Sequence, residues 1–126
     1  MGLVYADIRL ENLARPDLKP VPVRAMVDSG ALTLCIPQEV ARQLDLAVHD
    51  RRFVELADGS LQEVDIVAPV AVYFQNRFTS TTAAVLGNEV LLGAIAMQDL
   101  DVLIDPKNEA LILPPDRPNF AQMKVK

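Results

Sequence analysis

The sequence has few of the side chains that metal, redox and nucleic-acid functions need. It contains no tryptophan, one cysteine (Cys35) and one histidine (His49). A single cysteine excludes a disulfide within the chain and, with one histidine, leaves too few ligands for a zinc site. Lys and Arg total 12 against 17 Asp and Glu, and the basic residues are scattered. We therefore expect no metal or other cofactor and no nucleic-acid partner.

Long apolar runs are also missing. The first dozen residues include Asp7, Arg9 and Glu11, which interrupt any signal-peptide core. No run approaches the length that spans a bilayer. These absences predict a cytoplasmic protein without a membrane partner. Hydrophobic residues make up 51% of the 126 positions, enough to predict one globular domain over residues 1–126.

Short apolar or alternating runs, separated by turn residues, recur along the chain and predict strands. These runs cover residues 4–10, 21–27, 31–36, 53–57, 61–66, 70–74, 78–86, 90–93, 101–105 and 109–113. Pro37 opens one short helix that should end near Asp45, and a helical turn is expected after Gly93. The pattern predicts a mainly β domain with a closed or sandwiched barrel. A proline-rich tail over 114–126 should lack regular structure.

Asp28 stands between two apolar runs, where it begins the tetrapeptide Asp-Ser-Gly-Ala. A carboxylate at the end of a buried strand is costly unless something pairs with it. One interpretation is an Asx turn, in which the carboxylate accepts backbone N–H groups at a corner. The other is a catalytic carboxylate.

Three motifs carry a resemblance to a known family. Val27-Asp28-Ser29-Gly30-Ala31, the Asp58-Gly59 hairpin and Leu91-Leu92-Gly93-Ala94 occur in the order and approximate spacing of retropepsin-like (retroviral-type) aspartic proteases. Residues 92–101, followed by Ile104-Asp105-Pro106, are similar to the small bacterial single-domain members. The similarity covers about residues 3–113. It implies a closed acid-protease-type barrel with one short helix and one Asp-Ser-Gly corner per chain.

The same resemblance implies an aspartic endopeptidase that works as a homodimer on peptide or protein substrates. The catalytic Asp28 would face its symmetry mate, and a water between them would attack the peptide bond. Ser29 would hold the two corners together, Gly30 would let backbone approach the carboxylates, and Ala31 would line the substrate groove. Gly93 would pack a second corner beneath the first.

Asp58, Gly59 and Ser60 would form the tip of a mobile flap, although an ordinary exposed hairpin is an open alternative. Viral members have arginine after the glycine of the second corner, where it braces the dimer, but this chain has Ala94. Dimer contacts are therefore expected from the strand at 109–113 and from the tail.

Other interpretations remain open beside the protease. The same barrel is a candidate peptide-binding module without catalysis. Cys35 with His49 resembles a nucleophile and base, but a buried apolar role for the cysteine is favoured. Three carboxylates near the C-terminal end are expected to form a solvated edge rather than a metal site: Asp99, Asp101 and Asp105. The residues expected to line substrate pockets are Leu32, Leu34, Val54, Leu56, Ile66 and Ile95.

Overall fold

The structure, a computed structural model, describes residues 2–125, so Met1 and Lys126 of the predicted domain lie outside the described residues. Short strands dominate this range. The elements are β1 (Val4–Asn12), β2 (Val21–Val27), β3 (Leu34–Ile36), α1 (Gln38–Gln43), β4 (Ala47–Glu55), β5 (Leu61–Phe74), β6 (Arg77–Val85), β7 (Leu91–Leu92), α2 (Ala94–Leu100), β8 (Leu103–Asp105) and β9 (Ala110–Ile112).

Six strands close into a ring in the order β1-β2-β7-β3-β6-β5, because β1 also pairs with β5. The predicted mainly β, closed barrel is therefore confirmed. Strand β4 lies outside the ring on β5, and β8 pairs with β9 as a separate two-stranded sheet. Closure leaves the ring without free strand edges.

The alternation predicted for the first strand sets the inside of the barrel. In β1 the side chains of Val4, Ala6, Ile8 and Leu10 are buried, while Asp7 and Arg9 between them are exposed. Apolar side chains from the other ring strands and both helices pack against this face. Core members that are fully inaccessible to solvent include Ile36, Leu44, Val70, Val72, Leu92 and Leu100.

Several strand predictions were wrong in extent, including the one at 31–36, where β3 begins only at Leu34. β4 begins at Ala47 rather than at Phe53. Residues 49–52 are polar or charged and the strand is exposed along the outer edge of the sheet, so its first half shows no apolar alternation. The strands expected at 61–66 and 70–74 form one 14-residue strand, β5. Its register with β6 shifts between Val67 and Val70, and this irregularity accommodates Pro69, which has no N–H to donate.

The helices are short and lie at the ends of ring strands. Pro37 was expected at the first helical position but lies one residue earlier, at the N-cap of α1, and the helix ends at Gln43. The helical turn expected after Gly93 extends over seven residues as α2 and ends at Leu100, where Asp101 follows as the C-cap with a left-handed φ of 56°. Within residues 2–125, neither helix has the length and apolar content required to cross a membrane.

Candidate active site

The end of β2 places Asp28 beside the second corner. β2 runs parallel to β7, with Val27 opposite Leu92, and the Asp28 N–H donates to the Leu92 carbonyl at 3.0 Å. The carboxylate Oδ1 accepts the Gly30 N–H at 2.9 Å, and the Ala31 N–H donates to the Asp28 carbonyl at 3.1 Å. The Asx turn expected of this motif is therefore present.

The turn leaves part of the carboxylate available. Asp28 is partly exposed, and among the described residues its Oδ2 has no hydrogen-bond partner. A Cβ on Gly30 would lie 3.2 Å from Asp28 Oδ1, which is tighter than an ordinary contact. Ser29 is exposed, and within residues 2–125 its hydroxyl makes no hydrogen bond. The role predicted for Ser29 across a two-fold axis therefore stays a prediction.

Gly93 lies directly against the loop that follows Asp28. A Cβ there would be 2.6 Å from the Thr33 carbonyl oxygen and 2.8 Å from that of Ala31. Next to it, the Ala94 N–H donates to the Ala31 carbonyl at 2.8 Å and the Ile95 N–H donates to that of Leu32 at 3.1 Å. The backbone of the second corner thus fixes the loop that carries the first.

A cleft of about 610 Å³ opens beside the Asp28 carboxylate. Asp28 and Glu55 are the two charged residues among those that line it, and the rest of the wall is mainly apolar. The remaining lining residues are Gly30, Ala31, Leu32, Thr33, Cys35, Val54, Leu56, Ala57, Ala84, Leu86 and Leu91. The cleft therefore has the dimensions and surface of a site for apolar side chains.

Of the six residues expected to line substrate pockets, Leu32, Val54 and Leu56 line this cleft and the other three do not. Leu34 points into the barrel core, and because side chains alternate along β3 the neighbouring Cys35 faces the cleft instead. Ile66 packs beneath the cleft, and Ile95 lies on the far side of the loop, exposed on α2.

Cys35 and His49 do not form a catalytic pair. Burial, and secondarily the charge of Asp28, raises the pKa of the Cys35 thiol, so the thiol is neutral rather than nucleophilic at neutral pH. His49 is exposed on the edge strand β4 and is not part of the cleft wall. The predicted apolar role of Cys35 fits this position.

The predicted Asp58-Gly59 hairpin joins β4 to β5 and borders the cleft. Gly59, with a φ of 83°, donates its N–H to the Leu56 carbonyl, and Asp58 Oδ1 accepts the Ser60 N–H at 2.9 Å and hydroxyl at 2.6 Å. These bonds from Ser60 lower the pKa of Asp58. Val54 and the three residues after it form one wall of the cleft, whereas the tip itself is exposed. A flap role for the tip stays a prediction.

Sequence reasoning missed a polar cluster at the far end of α2. The solvated edge expected for Asp101 was wrong, because its side chain is only 11% exposed and pairs with Arg117. Asp99 accepts the Thr79 hydroxyl at 2.5 Å, and Asp105 caps its own turn through Asn108. The predicted strand at 101–105 begins at Leu103, since the preceding residues end α2. No local pattern links positions so far apart in sequence.

Residues 17–113 match the model of a family described as gag-polyprotein putative aspartyl protease. The chain belongs to this family. No curated protein sequence is significantly similar to it. The family assignment and the closed barrel confirm the retropepsin-like resemblance.

Two solved structures show the same fold. The retroviral protease-like domain of Ddi1 from Leishmania major is 19% identical, with a TM-score of 0.63 over 91% of this chain and 90% of that one. EIAV protease, solved with the inhibitor HBY-793, is 17% identical, with a TM-score of 0.59 over 79% of this chain and 88% of that one. At these identities the likeness establishes the fold of the chain and leaves its activity to be argued from its site.

Proposed function

We propose that this chain is an aspartic endopeptidase whose active site forms when two copies bring their Asp28 residues together. The observation that carries the proposal is the state of Asp28. Its carboxylate is fixed through Oδ1 by the Gly30 N–H, open at Oδ2, and set in the wall of an apolar cleft. The family of the chain supports the same chemistry.

Two carboxylates are needed because one cannot serve as base and acid in the same step. Across a two-fold axis, like charges at short distance cannot both ionise cheaply, so the pair of Asp28 residues shares one proton. The ionised member takes a proton from the bound water as the water oxygen attacks the peptide carbonyl carbon. The protonated member donates to the carbonyl oxygen. The C–N bond then breaks as the amide nitrogen receives a proton from the dyad.

The neighbouring residues support this chemistry by position. Gly30 holds the carboxylate and leaves room for backbone, Ala31 borders the substrate cleft, and Gly93 supports the loop from below. Ser29, which is exposed at the corner, would contact the partner. The hairpin tip at 58–60 would close over bound peptide and exclude water.

The surface around Asp28 is suited to a second copy of the chain. Leu32 is 70% exposed and Ile95 is 55% exposed, and a hydrogen bond joins their backbones beside the corner. On the other side of Asp28, a depression of about 240 Å³ is lined by Leu3, Ile104 and Ser29, among others. Burying this apolar rim would favour association. Together with the dimer contacts expected from the strand at 109–113 and the tail, it would take the place of the arginine brace that viral members have where this chain has Ala94.

The substitution Asp28→Asn tests the proposal. It should abolish cleavage of an unfolded protein substrate while leaving the circular dichroism spectrum and the sedimentation coefficient unchanged, because an amide keeps the acceptor for the Gly30 N–H. Asp7→Asn, at an exposed position on β1, is the matched control and should retain full activity. A statine-type peptide should inhibit the native chain and fail to bind the Asp28→Asn variant. Cleavage by that variant at the native rate would rule out the mechanism.

A peptide-binding module without catalysis is the second candidate, and the Asx turn favours it, because that turn alone gives Asp28 a structural role. In that case the chain would bind extended peptides without cleaving them, and Asp28→Asn would bind them equally well. Sedimentation equilibrium separates the cases further, since a strictly monomeric chain cannot assemble the dyad.

A further inference from the structure

The segment after β9 is attached to the barrel although it has no helix or strand. Residues 114–123, here called the strap, begin one position after the end of the family match. Pro114 is fully buried, the Asn76 side chain donates to the Pro118 carbonyl at 2.8 Å, and the Gln122 N–H donates to Asp101 at 2.9 Å. The strap therefore follows a fixed path back to the end of α2.

Asp101 is the anchor of the strap. Arg117 donates to both of its carboxylate oxygens, from Nε at 2.5 Å and from Nη2 at 2.8 Å. These bonds, followed by the one from Gln122, hold the pKa of Asp101 far below its usual range. A bidentate arginine–carboxylate pair fixes the orientation of the two side chains as well as the distance between them. The strap is therefore held in one orientation against the end of α2.

Arg77 lies under the strap, next to both members of this anchor. Its side chain is 0% exposed, and its Nη2 donates to the Arg117 carbonyl at 2.5 Å. Within residues 2–125, Nε and Nη1 have no hydrogen-bond partner, and Asp101 lies 3.8 Å from Nη1. A buried guanidinium with unpaired donors favours hydration. Opening of the strap would expose the Arg77 guanidinium to water and remove the cost of burying it. The Asp101–Arg117 pair opposes this opening.

α2 connects the anchor to the catalytic corner. Asp101 ends the helix, and at its other end the Ala94 and Ile95 N–H groups donate to the loop after Asp28. The helix is only seven residues long. Displacement of one end of so short a helix is transmitted to the other, because packed elements move as units.

We propose that the strap is a positioning element for the Asp28 corner. Asp101 and Arg117 hold α2 at its C-terminal end, and α2 in turn holds the loop that fixes the catalytic carboxylate. The structural part of this inference is independent of catalysis, and its consequence for peptide hydrolysis rests on the proposed function.

Amide hydrogen exchange of Arg117→Ala tests the positioning role without any activity assay. The reporters are the amides of Ala94 and Ile95, and the references are those of Leu44 and Leu86, which are bonded elsewhere in the barrel. Loss of the charge-assisted pair should speed exchange at the two reporters by about tenfold. The references should keep their native rates.

Asp101→Asn is the second variant, and it covers the case in which Arg117→Ala does not fold. Asparagine tolerates the left-handed backbone at position 101, so this variant should keep the fold. It should show the same selective acceleration. Arg117→Lys should restore part of the protection, because it keeps the charge but loses the fork. Asp116→Asn is the matched control. Asp116 pairs with Arg117 from the solvent side, so removing its charge should leave the exchange rates of the Ala94 and Ile95 amides unchanged.

Two results would overturn the proposal: unchanged exchange at Ala94 and Ile95, or equal acceleration at reporters and references, which would mean that the strap adds only global stability. If the native chain hydrolyses peptides, Arg117→Ala should also lower kcat several-fold at unchanged KM. If the native chain proves inactive, the proposed function fails, but the exchange result still decides the role of the strap.

Discussion

Replacing Gly93 by alanine should loosen the candidate active site more than alanine at any other glycine of the described residues. Its φ of −91° is ordinary for any residue, so the cost is steric rather than conformational. The new Cβ would lie 2.6, 2.8 and 2.9 Å from three backbone atoms of the loop at 31–33. These are backbone atoms, so they cannot avoid the new Cβ by a change of side-chain rotamer.

The magnitude follows from the distances. To reach an ordinary contact of 3.4 Å, the Thr33 carbonyl would have to move by about 0.8 Å. Overpacking of this kind costs about 1–3 kcal/mol. The movement also stretches the hydrogen bonds from Ala94 and Ile95 to the same loop, each of which contributes about 1 kcal/mol. We expect the free energy of unfolding to fall by about 2–4 kcal/mol.

Urea unfolding monitored by circular dichroism measures this change. Gly87→Ala is the control, because it should lower the free energy of unfolding through backbone conformation rather than through a steric clash. The φ of Gly87 is 77° and a Cβ would meet nothing within 4 Å, so alanine there should cost about 1 kcal/mol from the backbone alone. A Gly93→Ala variant within about 0.5 kcal/mol of the native chain would refute the close packing of the two corners.

Two further predictions concern stability. Asn12→Ala should lower the free energy of unfolding by about 2–3 kcal/mol in the same urea assay, because the buried amide donates to two carbonyls at the end of α1 and accepts the Ala14 N–H. The native chain should lose stability as pH falls below about 4, since Asp101 has a lowered pKa only when folded and its contribution disappears as it is protonated. Thermal unfolding across pH should show a shallower decline for Asp101→Asn, and an unchanged slope would contradict the role of the Arg117 pair.

The sequence was most informative where the structure depends on neighbours in the chain. The Asp28 corner, the Asp58-Gly59 turn and Gly93 each combine a residue with special backbone or hydrogen-bonding properties and flanking apolar strands, so a few adjacent positions define them. The alternation of short strands predicted a closed or sandwiched barrel, and the family resemblance pointed to the closed form. In each of these cases the local signal and the final structure agree.

The misplaced pocket residues show what a local pattern does not contain. β3 is buried on both faces, so its sequence does not reveal whether Leu34 or Cys35 faces the cleft. That choice depends on how β3 pairs with β6 and β7. The path of the strap could not be predicted from the sequence for a similar reason. Arg117 contacts Asp101 only after the chain has folded around Arg77.

The Asx turn and the catalytic interpretation of Asp28 are compatible, because they use different oxygens of one carboxylate. The Gly30 N–H fixes Oδ1, which sets the direction of Oδ2 before any partner arrives. A carboxylate already held in one orientation loses little rotamer freedom when a second chain and a water meet it. The turn that makes Asp28 look structural within one chain would therefore be the feature that prepares it for a dyad.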